Sequence, residues 1–149
     1  MALQIRTICK AIHNLSVSGV VICDLDTIPE SVDPRQPTLY PEPAGVVSDL
    51  IVTNDSFGSG LTGKKTAAYI LTYTFCYAPI GEERGLFAAY PEMIDAAYEI
   101  IDAIIAADPL NGSVTSAING ALNFGLVNDP AGQAFHGCQI QIRVTEFVN

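Results

Sequence analysis

Apolar and polar positions alternate most clearly between Ala67 and Ile80. Tyr69, Leu71, Tyr73, Phe75 and Tyr77 fall on one side, and Ala68, Ile70, Thr72, Thr74 and Cys76 on the other. Side chains switch faces at every residue of a strand, so this stretch predicts a strand with one bulky face and one smaller, half-polar face. It has no internal Gly or Pro, and Pro79 marks its end, as expected for the centre of a sheet. Beyond it, over Pro91–Ala107, the period changes. Ile94, Ala97, Tyr98, Ile101, Ile104 and Ile105 recur at helical spacing, with Glu92, Asp95, Glu99 and Asp102 on the opposite stripe. Pro91 suits a first helical turn, and acids early in a helix suit the positive end of its dipole. The apolar stripe is expected to bury itself on the bulky face of the strand, with Ile101 facing Tyr73 or Phe75.

Weaker patterns flank this pair. Leu3–Leu15 reads as an amphipathic helix, with Leu3, Ile5, Ile8, Cys9, Ile12 and Leu15 on one face. Val17–Cys23 and Val46–Thr53 read as strands. Phe135–Phe147 reads as a last strand, in which Ile140, Ile142 and Val144 alternate with Gln139, Gln141, Arg143 and Thr145, leaving one face wet. Val114–Ile118 and Ala121–Val127 are short strand candidates with an Asn119-Gly120 turn between them. Asp129-Pro-Ala-Gly132 has the residues of a tight turn. Residues 27–44 carry Pro29, Pro34, Pro37, Pro41 and Pro43, which exclude helix and inner strand and predict a stiff arm. Ile28, Val32, Leu39 and Tyr40 in that arm suit docking on a neighbour. Residues 56–65 form a Gly-rich hairpin loop. The expectation is a single domain over 1–149 of α+β class, a mostly antiparallel sheet with two helices on one face.

Composition narrows the partners. Hydrophobic residues make up 49% of the chain and charged ones only 15%, which predicts either a large core or buried subunit surfaces. No apolar run reaches the ~18 residues that span a bilayer, and the first ten residues lack a signal-peptide pattern, so no membrane partner is expected. A formal net charge of −9 argues against nucleic-acid binding through phosphate neutralisation. Cys9, Cys23, Cys76 and Cys138 form no Cys-x-x-Cys pair and sit in apolar patterns, which predicts reduced, buried thiols.

Candidate chemistry is sparse. Gly58-Ser-Gly-Leu-Thr-Gly-Lys-Lys65 falls short of a phosphate-binding loop. Lys65 stands where a hydroxyl should be, and a strand follows where a helix is needed. Cys9 with His13, and His136 with Cys138, could together supply four zinc ligands, but their spacing matches no known finger or ribbon. Asp24 and Asp26 could act as paired carboxylates, yet turn carboxylates are the simpler reading. No Gly-x-Ser-x-Gly elbow marks a nucleophile. No catalytic, cofactor-binding or metal residue is therefore assigned, and no cofactor is expected.

The chain resembles the tail-terminator (tail-completion) proteins of long-tailed, siphovirus-type bacteriophages. The resemblance is carried by the opening helix Ile5–Leu15, the arm Asp26-Thr-Ile-Pro-Glu-Ser-Val-Asp-Pro-Arg35, and Ser56-Phe-Gly58 with its Gly-rich loop. Phe135-His-Gly-Cys138 leading into Ile142-Arg-Val-Thr-Glu-Phe147 adds to it. It implies a structural virion protein, not an enzyme. Such a protein is assembled in the host cytoplasm into a homohexameric ring that caps the tail tube protein and meets the head–tail connector. DNA would pass through the lumen without specific binding. The long proline arm departs from the family pattern and suits another neck component as the alternative. A small metal-dependent or hydrolytic enzyme is the alternative of a different class. The loop reading gives a first prediction: calorimetry with ATP at micromolar concentration detects no saturable binding, and a saturable isotherm would contradict it.

Overall fold

The computed structural model describes residues 3–54, 65–80, 86–107 and 119–148. In chain order the elements are α1 (Ile5–His13), β1 (Val21–Ile22), β2 (Thr38–Pro41), β3 (Val47–Asn54), β4 (Lys65–Pro79), α2 (Leu86–Ala106), β5 (Asn119–Asn128) and β6 (Ala134–Val148). The fold is α+β: among the described residues, six strands form one mixed sheet and two helices pack on one of its faces.

The sheet is built outward from β4. Along one edge β4 pairs antiparallel with β6, from Lys65 opposite Val148 to Pro79 opposite Phe135. The other edge is shared end to end. β3 pairs with Lys65–Leu71 and β2 with Tyr73–Cys76. Thr72 bridges the gap, its N–H donating to Val46 O (2.9 Å) and its carbonyl accepting from Glu42 N–H (3.0 Å). β1 runs parallel to β2, and β5 lies antiparallel on the far side of β6. The bulky face foreseen for β4 is the core face. Tyr69, Leu71, Tyr73 and Phe75 join Cys138, Ile140, Ile142 and Val144 of β6 under Ile8, Cys9 and Ile12 of α1 and Met93, Ala97, Ile100, Ile101 and Ile104 of α2.

A second cluster lies elsewhere in the chain: Cys23, Val32, Tyr40, Cys76, Val127 and Phe135. Here the arm departs from expectation. Thr38–Pro41 is an inner strand between β1 and β4, permitted because Pro37 precedes it and Pro41 ends it, so no proline interrupts the ladder. Val32, Leu39 and Tyr40 are buried within this chain, so they are not held in reserve for a neighbour. Phe135 reaches this cluster beside a register shift between Cys76 and Ala78. Next to it Gly137 is obligatory: a Cβ there would lie 1.9 Å from Phe75 O and 2.8 Å from Val127 Cγ2. The bulge in β3 between Ser48 and Ile51 places Asp49 at φ 53, a left-handed conformation that Asp tolerates better than most residues.

Other boundaries differ. Only Val21–Ile22 of the Val17–Cys23 run is strand. Asn119-Gly120 is no turn, because it pairs within β5 opposite Arg143 and Ile142. Val114–Ile118 and nearly all of the 56–65 loop lie outside the described residues. α2 begins five residues before Pro91, which stands inside the helix. Tyr90, just before it, packs against the core, and tertiary packing outweighs the preference of proline for a first turn. The helix is also turned by roughly 60° from the expected face, at 100° per residue. Met93 and Ile100 point inward, while Ile94, Tyr98 and Ile105 are exposed. Ile101 is buried as expected. Truncating Ile100 to Ala should cost ~2–5 kcal/mol in urea unfolding, as for other buried aliphatics. The same change at Ile94 should cost less than ~1 kcal/mol, and equal costs would contradict this rotation.

Candidate interaction surfaces

The buried polar groups explain how the ends of the chain are held. Ile140, Ile142 and Val144 face the core, and Glu146 continues their phase, so β6 delivers a carboxylate to that face. Glu146 accepts from the Tyr69 hydroxyl (2.6 Å) and from Gln4 N–H at both oxygens (3.1 and 3.2 Å). Gln4 is the N-cap of α1 and has no side-chain cap of its own, so a residue 142 positions away satisfies a helix-end donor. Asp129 does similar work for the arm. Its Oδ2 accepts from Val32 N–H (2.9 Å) and its Oδ1 from Gln133 N–H (2.8 Å), while Gly132 N–H closes the foreseen turn onto Asp129 O (3.0 Å). The Tyr40 hydroxyl donates to Asn128 O (3.1 Å) beside the Cys76 thiol.

The residues singled out for chemistry do not converge. Cys9 and Cys138 lie in the main core. His13 is exposed and its Nδ1 donates to Ile22 O (2.6 Å). His136 is buried, edge-on to Tyr90 with ring centroids 6.3 Å apart, and its Nδ1 has no hydrogen-bond partner among the described residues. Among those residues, no group of three or more His, Cys, Asp or Glu could hold a metal ion. Asp24 and Asp26 form a turn. Asp24 Oδ1 accepts from Asp26 N–H and from the Thr27 hydroxyl, both at 2.9 Å, and the Thr27 bond holds the Asp24 carboxyl below its usual range. Asp26 instead forms an exposed ion pair with Arg6 (2.8 Å). All four cysteines are free and buried. Burial pushes the Cys9 and Cys23 thiols up, and takes Cys76 and Cys138 to about 12. The Tyr73 hydroxyl is also pushed up by burial, with the Cys9 thiol near it.

Two hollows open over the face of the sheet away from the helices. One, of about 860 Å³, is lined by Glu42, Thr74, Asn123, Leu126, Asp129 and Gln139 among others. Its carboxylates are already engaged: Glu42 accepts from the Thr74 hydroxyl, and Asp129 from the two backbone amides. The other, of about 540 Å³, includes Ile51, Ala68, Ile70, Arg143 and Thr145. Amide, hydroxyl and short apolar groups of this kind suit contact with another surface more than proton transfer, which needs an uncommitted acid or base.

What the sequence did not reveal is how much apolar side chain stays exposed. Leu50, Ile51 and Val52 on β3, Ile94, Tyr98 and Ile105 on α2, and Leu126 on β5 are each more than 40% exposed. Each occurs in a run that also reads as core, so pattern alone offered no warning. Glu146 was not foreseen either, although its phase with Ile140, Ile142 and Val144 is the signal that could have found it. The acid stripe Glu92, Asp95, Glu99 and Asp102 is exposed as expected. No protein-family model matches the chain, and no curated protein matches it.

The thiols set a pH dependence. A group with a higher pKa in the fold than in the unfolded chain adds stability that is complete below the unfolded value and lost as pH climbs to the folded one. For Cys76 and Cys138 that window runs from 9.0 to about 12. Stability from urea unfolding should fall across it by ~1.4 kcal/mol per pH unit for each thiol. A thiol reagent at pH 8 should find no reactive cysteine in the native chain and all four after denaturation without reductant. A flat stability curve, or rapid native labelling, would contradict the burial.

Proposed function

We propose that this chain is a structural subunit of a bacteriophage virion. It serves as a tail terminator whose copies close into a ring over the tail tube and join it to the head. The observation that carries the reading is the distribution of exposed apolar side chains over separate elements: β3, α2 and β5. Scattered single residues need no explanation, but runs of them are what subunit contacts cover. Because they occupy different parts of one subunit, they suit a head-to-tail contact, which forms a closed ring when its rotation permits. The α+β fold is the class that the resemblance implies. The charge supports the same reading. A net charge of −9 suits a lumen that repels DNA and lets it slide.

The partners in this reading are further copies of the chain, six to a ring, the tail tube protein and the head–tail connector, and its location is the tail–neck junction. The deciding sample is the assembled particle. Electron-microscopic density for this chain should form a ring at the junction of tail and head, and particles lacking the chain should carry tails of uncontrolled length. Density elsewhere, or normal capped tails without the chain, would overturn the assignment.

A further inference from the structure

We infer that the outer flank of α2 seats a second copy of this chain, and that this copy presents the basic flank of its α1 there. The inference rests on the ring proposed above and names the two faces that build it. At 100° per residue the surface of α2 divides into three strips. Met93, Ala97, Ile100, Ile101 and Ile104 are buried. Ile94, Tyr98 and Ile105 form the next strip and are 43%, 63% and 46% exposed. Asp95, Glu99 and Asp102 follow, all exposed, and no Lys, Arg or His lies anywhere in the helix. Acids spaced three and four apart repel one another, and Asp102 stands near the negative end of the helix dipole. This side of α2 therefore combines uncovered apolar surface with negative charge that nothing on the helix neutralises.

The matching surface is on α1. Arg6, Lys10 and His13 fall on one exposed flank, and α1 contains no acid. Lys10 has no ion-pair partner among the described residues, and Arg6 is held only by its ion pair with Asp26, exposed on both sides and so held weakly. The long stems of Lys10 and Arg6 can cover an aliphatic strip while their charges reach the acids beside it, and a cation over the exposed Tyr98 ring adds attraction. Position also fits. The Arg6–Asp26 pair and the His13–Ile22 bond set the basic flank of α1 at the β1 end of the sheet. α2 lies over β4, β6 and β5, on the side of the sheet away from β1. Two complementary faces on different sides of one subunit give a head-to-tail contact rather than a mutual dimer.

The test exchanges the charges. Lys10→Glu and Glu99→Lys are made singly and together, at exposed sites where circular dichroism should show the fold unchanged. Self-association is measured by sedimentation at low salt, up to millimolar chain. Each single variant should weaken association on the order of tenfold, and the double variant should restore it to within about threefold of the starting chain. Association untouched by the single changes, a double variant no better than either single, or an unaltered chain that stays monomeric throughout would each overturn the inference. The outcomes separate it from the ring itself. A ring imaged at the tail–head junction whose assembly ignores these charges keeps the proposed function and removes this interface. Association that follows the charges, with no ring at the junction, does the reverse.

Discussion

A strand of fifteen residues that is paired along both edges is the constraint on which the molecule depends. β4 satisfies its backbone against β6 on one side and against β2, β3 and the connection between them on the other. Unpaired buried amides and carbonyls cost about 1–3 kcal/mol each, so the central position of β4 obliges every neighbour to keep register. Gly137 shows how tight that register is. The carbonyl of Phe75 occupies the space that any side chain at 137 would need. From this pairing follow the two faces: one is covered by α1 and α2, and the other is partly covered by the arm and otherwise open as hollows.

Two buried carboxylates fasten distant chain segments to this frame. Glu146 holds the start of α1, and Asp129 holds the arm at Val32. Neither has a cation beside it in these bonds. Each is accommodated by two or more hydrogen bonds from backbone or hydroxyl donors, which is how a buried acid avoids an unpaired charge. A consequence for function is that the acids closest to the core are structural. Asp95, Glu99 and Asp102 of α2, by contrast, are exposed and within reach of a partner. The proline arm belongs to the same economy of contacts: Val32 and Tyr40 complete the second cluster of its own chain and Leu39 joins the main core. That shifts the proposed subunit contacts from the arm to the helices and strand edges, where apolar side chains remain uncovered.

The alternation in 67–80 and 135–147 determined two strands and which side of each is buried, because a period of two leaves no freedom once one face is apolar, while their pairing with each other was decided by the tertiary structure. The turn at Asp129-Pro-Ala-Gly132 and the turn role of Asp24 were legible for a local reason, since nearby atoms satisfy them, and the buried thiols were legible from the apolar patterns around them. The failures have a common cause. α2 has apolar residues around roughly half of its circumference, so its period did not say which part meets the sheet, and only packing against β4, β5 and β6 turned Ile100 inward and Tyr98 outward. Thr38–Pro41 became an inner strand because its prolines fall at the ends of the ladder, a matter of register that proline count cannot reveal. Leu50, Ile51 and Val52 read as core, yet the sheet edge leaves them uncovered. Local sequence fixes period and turn chemistry; which apolar surface finds cover is decided between elements far apart in the chain, and the candidate interaction surfaces are what that decision leaves exposed.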